Sequence, residues 1–203
     1  MNKKIGPLHL LTGALLAVSG AIALPGAWAH EGHAHMDTSQ MEVKRSVAKY
    51  LMPQITLLNQ NGQKIALATA LDDGRAVLLN FIYTSCTTVC PVTTQIFTEV
   101  QAQLGKQISK VHMVSISIDP EYDTPKQLLA YARENKTGPQ WDFYTGSIDD
   151  SVAVQKAFNA YRGDKMSHTP LTLLRGAPGK PWIRLDGFAS PETIIKEYQA
   201  LNR

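Results

Sequence analysis

Cysteine is almost absent from this chain of 203 residues, which holds only two, Cys86 and Cys90. A pair cannot build the multi-bridge framework of small secreted domains, and a chain this long can bury a core that does without one. An excess of charge is missing too: 20 Lys and Arg against 17 Asp and Glu leave +3. No stretch interleaves basic with aromatic residues, so nucleic acid is excluded as a partner. No internal repeat occurs, which removes solenoids and propellers. What remains is a 44% hydrophobic composition, ordinary for one globular domain of about 150 residues with an appendage.

The appendage is N-terminal. Lys3 and Lys4, an apolar run from Leu8 to Leu24, and Ala27-Trp28-Ala29 have the layout of a secretory signal over residues 1–29, cleaved before His30. Gly13, Gly20 and Pro25 interrupt the run, which is short of the ~20 apolar residues a span needs, so cleavage is favoured over an uncleaved membrane anchor. Export and the bare Lys-Lys start point to the bacterial periplasm, an oxidising compartment. Residues 30–49 are polar, His-rich and without periodicity, and read as a flexible leader before a domain over 50–203.

Within the domain, Gln54–Leu58 and Lys64–Leu67 flank Asn61-Gly62, a hairpin signal. Ala76–Tyr83 is an apolar run expected to be a strand covered on both faces. Pro91–Leu104 has helical spacing, Val111–Ile118 alternates as a strand, and Thr124-Pro125-Lys126-Gln127 spells a helix cap running to about Glu134. Trp141–Tyr144 reads as a short strand, Asp150–Tyr161 as a helix, Thr169–Leu174 and Trp182–Leu185 as paired strands, and Ser190-Pro191 as the cap of a last helix. An opening hairpin, alternating strands and helices, then two strands and a helix predict an α/β thioredoxin-like sandwich with an N-terminal β-hairpin.

Cys86-Thr87-Thr88-Val89-Cys90-Pro91 follows the central strand, at the carboxyl edge where open α/β sheets place their sites. A spacing of four puts both sulfurs on one side about a turn apart if the segment is near-helical. The following helix N-terminus favours the thiolate, the form that attacks and that binds metal. As a structural disulfide the pair closes so short a loop that it contributes only about 2 kcal/mol. A thioredoxin-type oxidoreductase usually separates its cysteines by two residues, against three here. Two soft thiolates and an imidazole suit Cu(I), with zinc and a fourth ligand as the competing ion. His112 opens a strand at the opposite end of the sheet and reads as a surface residue. His168, entering a late strand where thioredoxin-like folds bring a loop against the cysteine helix, is the candidate third ligand, although by residue type alone it is an ordinary loop histidine.

The set FIYTSCTTVCP, SISIDPEYDTP (Ser115–Pro125), WDFYTG (Trp141–Gly146) and Ser167-His168-Thr169 resembles the Sco/SenC family of copper-binding, thioredoxin-like proteins, over about residues 50–203. The resemblance implies that Cys86, Cys90 and His168 bind copper, as Cu(I) and with Cu(II) left open. It implies a metallochaperone that delivers copper to a respiratory site such as that of a cytochrome c oxidase subunit, or a thiol-disulfide oxidoreductase that reduces such a client's cysteines through Cys86 and Cys90. A Cys86–Cys90 disulfide would block Cu(I) loading, so a thiol reductant is a further expected partner. The chain is expected to act as a monomer. The family's usual acidic residues between the cysteines and before the histidine are replaced by Thr87-Thr88-Val89 and Ser167, and Pro170 stands where an apolar residue is usual.

Other metal-capable groups have plainer readings. His30, His33, His35 and Met36 cluster near the expected new terminus, where amine and imidazole could chelate Cu(II), but a solvated leader explains them as well. Asp119, Glu121 and Asp123 are accounted for as turn and helix start, with Asp119 near enough to support the site. Met166 could offer a weak thioether, yet a loop methionine usually packs. Phe81, Tyr83, Trp141 and Phe143 are expected in the core. A peroxiredoxin-like peroxidase is excluded, because Leu79 and Tyr83 stand where that family has its proline and threonine.

Overall fold

The run Ala76–Ile82 is buried at all seven positions, as expected of a strand with no polar face to offer water. Its neighbours, in the computed structural model that describes residues 43–201, explain why. In chain order the elements are β1 (Lys44–Ala48), β2 (Thr56–Asn59), β3 (Lys64–Ala66), α1 (Leu67–Ala70), β4 (Ala76–Ile82), α2 (Val89–Leu104), β5 (Val111–Ser117), α3 (Pro125–Glu134), β6 (Trp141–Thr145), α4 (Ile148–Ala157), β7 (Leu171–Arg175), β8 (Trp182–Asp186) and α5 (Pro191–Leu201). The strands form one sheet in the order β1-β8-β7-β4-β5-β6-β2-β3. β5 lies parallel to β4 and to β6, each join made by a helix, while β7 runs antiparallel to β4.

Period-two alternation along β4 splits the core. Ala76, Leu78 and Ile82 join Phe97, Val100, Leu128 and Ile194, so α2, α3 and α5 cover one face. Val77, Leu79 and Phe81 join Leu67, Val154 and Phe158 on the other, under α1 and α4. On the first face a polar thread crosses the strands: Trp141 Nε1 donates to Ser115 Oγ at 2.9 Å, which donates to Asn80 Oδ1 at 2.7 Å. The thioredoxin-like α/β sandwich and its β2–β3 hairpin are present, with Gly62 at φ 79° in the turn. Thr124 caps α3 through a 3.3 Å bond from the Gln127 backbone, as its sequence predicts.

Several boundaries differ from expectation. The fold begins before Tyr50, because Lys44–Ala48 pairs antiparallel with β8 over five positions. Arg45 is held against α5 by Glu197 at 2.7 and 3.1 Å. An edge strand that buries little side chain leaves no hydrophobic alternation to read, and its stability comes from the ladder. The helix expected to reach Tyr161 stops at Ala157, and Asn159 takes φ 53° just beyond it. The expected signal segment and the His30, His33, His35 and Met36 cluster lie outside the described residues. Among the described residues no helix is long and apolar enough to cross a membrane.

A chain that starts at Tyr50 loses the β1–β8 ladder and should be less stable than one that starts at Val43 by on the order of 3 kcal/mol, at about 1 kcal/mol net per hydrogen bond. Urea unfolding of the two truncations measures this, and equal midpoints would show that β1 is dispensable.

Candidate functional site

β4 ends at the carboxyl edge of the sheet, and the chain must turn there to enter α2. That turn carries Cys86, whose backbone N–H donates to the Tyr83 carbonyl at 3.1 Å. The helix begins at Val89, two residues before the expected Pro91, so Cys90 falls in its first turn. A helix start leaves N–H groups without partners. Thr88, the capping residue, makes no side-chain cap bond. The Cys86 sulfur takes that place, accepting the Cys90 N–H at 3.4 Å. Cys90 Sγ in turn accepts the Tyr83 N–H at 3.5 Å. Both cysteines are buried and free.

The two thiols are not equivalent. Burial opposes ionisation of Cys86, but the Cys90 and Thr88 backbone N–H groups and the Tyr83 hydroxyl outweigh it and bring its pKa down to about 6. Cys90 has no exposure; burial, then its bond to Cys86 and the charges of Cys86 and Asp123, push its pKa well up. One sulfur is therefore a thiolate near neutral pH and the other a thiol.

The turn is fastened from below by Asp123, which is fully buried. Its carboxylate accepts from the Thr84 N–H at 3.1 Å, the Thr84 hydroxyl at 2.5 Å and the Ser117 hydroxyl at 2.6 Å. Burial raises its pKa against those hydrogen bonds. Asp119 points elsewhere and pairs with Lys165 Nζ at 2.5 Å. Both acids thus serve the loops, in agreement with the turn-and-cap reading.

His168 reaches the same edge from β7, whose antiparallel register sets Thr172 opposite Asn80. Burial lowers its pKa, a hydrogen bond to the Phe81 backbone works the other way, and Arg162 lowers it further. A neutral imidazole that donates one N–H to a carbonyl keeps a lone pair on its other nitrogen, which is how metal-binding histidines are oriented. Even so, among the described residues no three His, Cys, Asp or Glu side chains are grouped to hold a metal. The fold brings Cys86 and Cys90 together and brings His168 to their edge without closing the trio.

His112 is at the far end of the sheet, as expected, but it is buried at 3% exposure. Nε2 meets Asp142 at 2.9 Å and Nδ1 lies 3.4 Å from Asp73. Two carboxylates offer the partners that let an imidazole leave the surface, and sequence spacing gives no sign of either. Tyr83 has a role beyond the expected core packing. Burial first, then its hydrogen bond to Cys86, raise its pKa to about 12, so it is a standing proton donor beside that sulfur. Its place three residues before Cys86 was the only available signal.

Iodoacetamide should alkylate Cys86 of the reduced protein with a rate that follows a pKa near 6: it falls tenfold per unit of pH well below that value and levels off above neutrality. Cys90 should stay unmodified over that range. Peptide mapping distinguishes the two, and equal labelling would refute the asymmetry.

Comparison with known proteins gives one consistent answer. The SCO1/SenC family profile matches residues 43–203, which takes in β1, ahead of the expected start at Tyr50. A SCO1 protein homolog of Bacillus subtilis is 32% identical over 139 residues, which are 64% of this chain and 71% of that one. The structure of BsSco, described as a member of the Sco family of cytochrome c oxidase assembly proteins with a disulfide switch, is 30% identical with a TM-score of 0.65, covering 77% of this chain and 95% of its own. ScoI of Bradyrhizobium japonicum, solved with copper bound, is 25% identical with a TM-score of 0.62 over 74% of this chain and 99% of its own. A thioredoxin-like sandwich, a reduced cysteine pair at the start of α2 and a match over nearly the whole described region lead to one conclusion: the chain belongs to the SCO1/SenC family.

Proposed function

We propose that this protein is a copper metallochaperone that works after export to the periplasm, holding copper through Cys86, Cys90 and His168 and passing it to a respiratory copper protein such as a cytochrome c oxidase subunit. The observation that carries the reading is the reduced pair itself, with the Cys90 N–H on the Cys86 sulfur at 3.4 Å. Two soft sulfurs from one turn suit Cu(I). One is ionised in advance, so loading has to displace a proton only from Cys90. Neutral His168 has the donor chemistry to complete a trigonal site once the 165–168 segment shifts. Copper in Bradyrhizobium japonicum ScoI and the assembly role given for BsSco support the assignment.

The unequal thiols favour a second reading, a thiol-disulfide oxidoreductase for the client's cysteines. A low-pKa sulfur that attacks and a fully buried one that resolves the mixed disulfide are what such exchange needs. In that reaction Cys86 bonds to one client sulfur and releases the other as thiolate. Cys90 then gives up its proton and attacks Cys86, breaking the bond to the client and releasing that sulfur as a thiol, so the client gains the two electrons that the pair loses.

Anaerobic Cu(I) titration against a competing chelator tests the first reading. Cys86→Ser and Cys90→Ser should each weaken binding by ~100-fold, and His168→Ala by about tenfold. Weak wild-type binding, or indifference to all three changes, would leave the reductase reading, for which reduction of a client-derived disulfide peptide by the copper-free protein is the measurement.

A further inference from the structure

Met166 has no packing role. Its side chain belongs to a residue 75% exposed, in the short 3-10 turn Lys165–Ser167 that leads to His168. The turn is pinned on either side of it. Asp164 Oδ1 accepts the Met166 N–H at 2.7 Å, Lys165 Nζ is bound to Asp119 and lies 5.7 Å over the Tyr83 ring, and the His168 N–H returns to the Lys165 carbonyl at 3.1 Å. A methionine placed to meet solvent or a partner surface would direct its sulfur outward. This one directs it back to the site: the Tyr83 hydroxyl lies 3.7 Å from Met166 Sδ and also hydrogen-bonds Cys86.

One phenol proton thus faces two sulfurs and can serve only one at a time. The hydroxyl donates to Met166 Sδ and so occupies one lone pair of the thioether, which is freed when that proton turns to Cys86. A thioether is soft, uncharged at every pH, and carried on an unbranched side chain that closes a remaining gap by rotation. It favours Cu(I), whereas imidazole also suits Cu(II).

We infer that Met166 is a further copper ligand, a thioether that completes with Cys86 and Cys90 an all-sulfur site for Cu(I). The inference rests on the copper-binding reading above. It gives the protein two alternative third donors on one short segment, Met166 for Cu(I) and His168 for either oxidation state. Copper that arrives exchanges its carrier or solvent ligands for the three sulfurs, without any change of oxidation state.

Met166→Leu keeps the size and apolar character of the side chain and removes only the donor. The reduced full-length protein, its Met166→Leu and His168→Ala variants and the double variant are each titrated with Cu(I) against a chelator, and sulfur neighbours are counted by X-ray absorption. Met166→Leu should bind Cu(I) roughly tenfold more weakly, the scale of losing one auxiliary group at a metal site. In His168→Ala the copper should have three sulfur neighbours, falling to two in the double variant. If Met166→Leu matches wild type and the count in His168→Ala is two, the thioether is no ligand, while the copper reading stands on its cysteines. If the wild type binds no Cu(I), both fall together.

Discussion

A single buried carboxylate sets the geometry on which the site depends. Asp123 lies on the β5–α3 loop and Thr84 on the β4–α2 turn. With the strand pairing of β4 with β5 and the 2.8 Å bond from the Ile118 N–H to the Ile82 carbonyl, the contact between them ties the cysteine turn to the neighbouring loop. Three donors converge on its two oxygens, which is the compensation a fully buried acid requires. The arrangement also acts through charge. A carboxylate beneath α2 opposes ionisation of Cys90, while the helix N-terminus favours it at Cys86. The same fastening that positions the pair therefore helps to make it unequal, and a symmetric dithiol could not separate an attacking sulfur from a resolving one.

The elements legible in the sequence were those whose side chains carry their own pattern. β4 shows as an apolar run because both faces are covered, α3 because Thr124 and Gln127 form a cap, and the β2–β3 hairpin because Gly62 supplies its turn. β1 was not legible, since Lys44–Ala48 is held by backbone pairing and by Glu197, 152 residues away. The site divides in the same way. Cys86 and Cys90 are marked by type, spacing and position after a central strand. Tyr83 and Met166 are not, because their meaning comes from a contact across 83 residues. His112 reads as exposed in the sequence for the same reason, its two carboxylate neighbours coming from a separate loop and strand.

The sheet thus has two polar ends of different character. At the amino end His112, Asp73 and Asp142 form a closed cluster, with Arg75 on Asp73 at 2.5 Å and Gln60 on Asp142 at 3.0 Å. These groups pair with one another, Nδ1 of His112 alone lacking a hydrogen bond, which is a structural use of charge. At the carboxyl end the sulfurs and the His168 ring share few mutual bonds, and donors with free lone pairs are what binding chemistry needs.

The chain after His168 restricts how that ring can travel. Only Thr169 and Pro170 separate it from β7. Proline fixes one backbone angle, and its carbonyl is held by the Gly187 N–H at 3.0 Å. On the other side stands Gly163 at φ 81°, followed by a turn held by side chains and by backbone bonds from the Ser167 and His168 N–H groups to the Asp164 and Lys165 carbonyls. The segment is consequently fixed at Pro170 and enters its turn through a conformation at Gly163 that favours glycine. His168 thus stands two residues from the fixed end and Met166 four, so that any adjustment of the loop has more backbone to work with at the methionine than at the histidine.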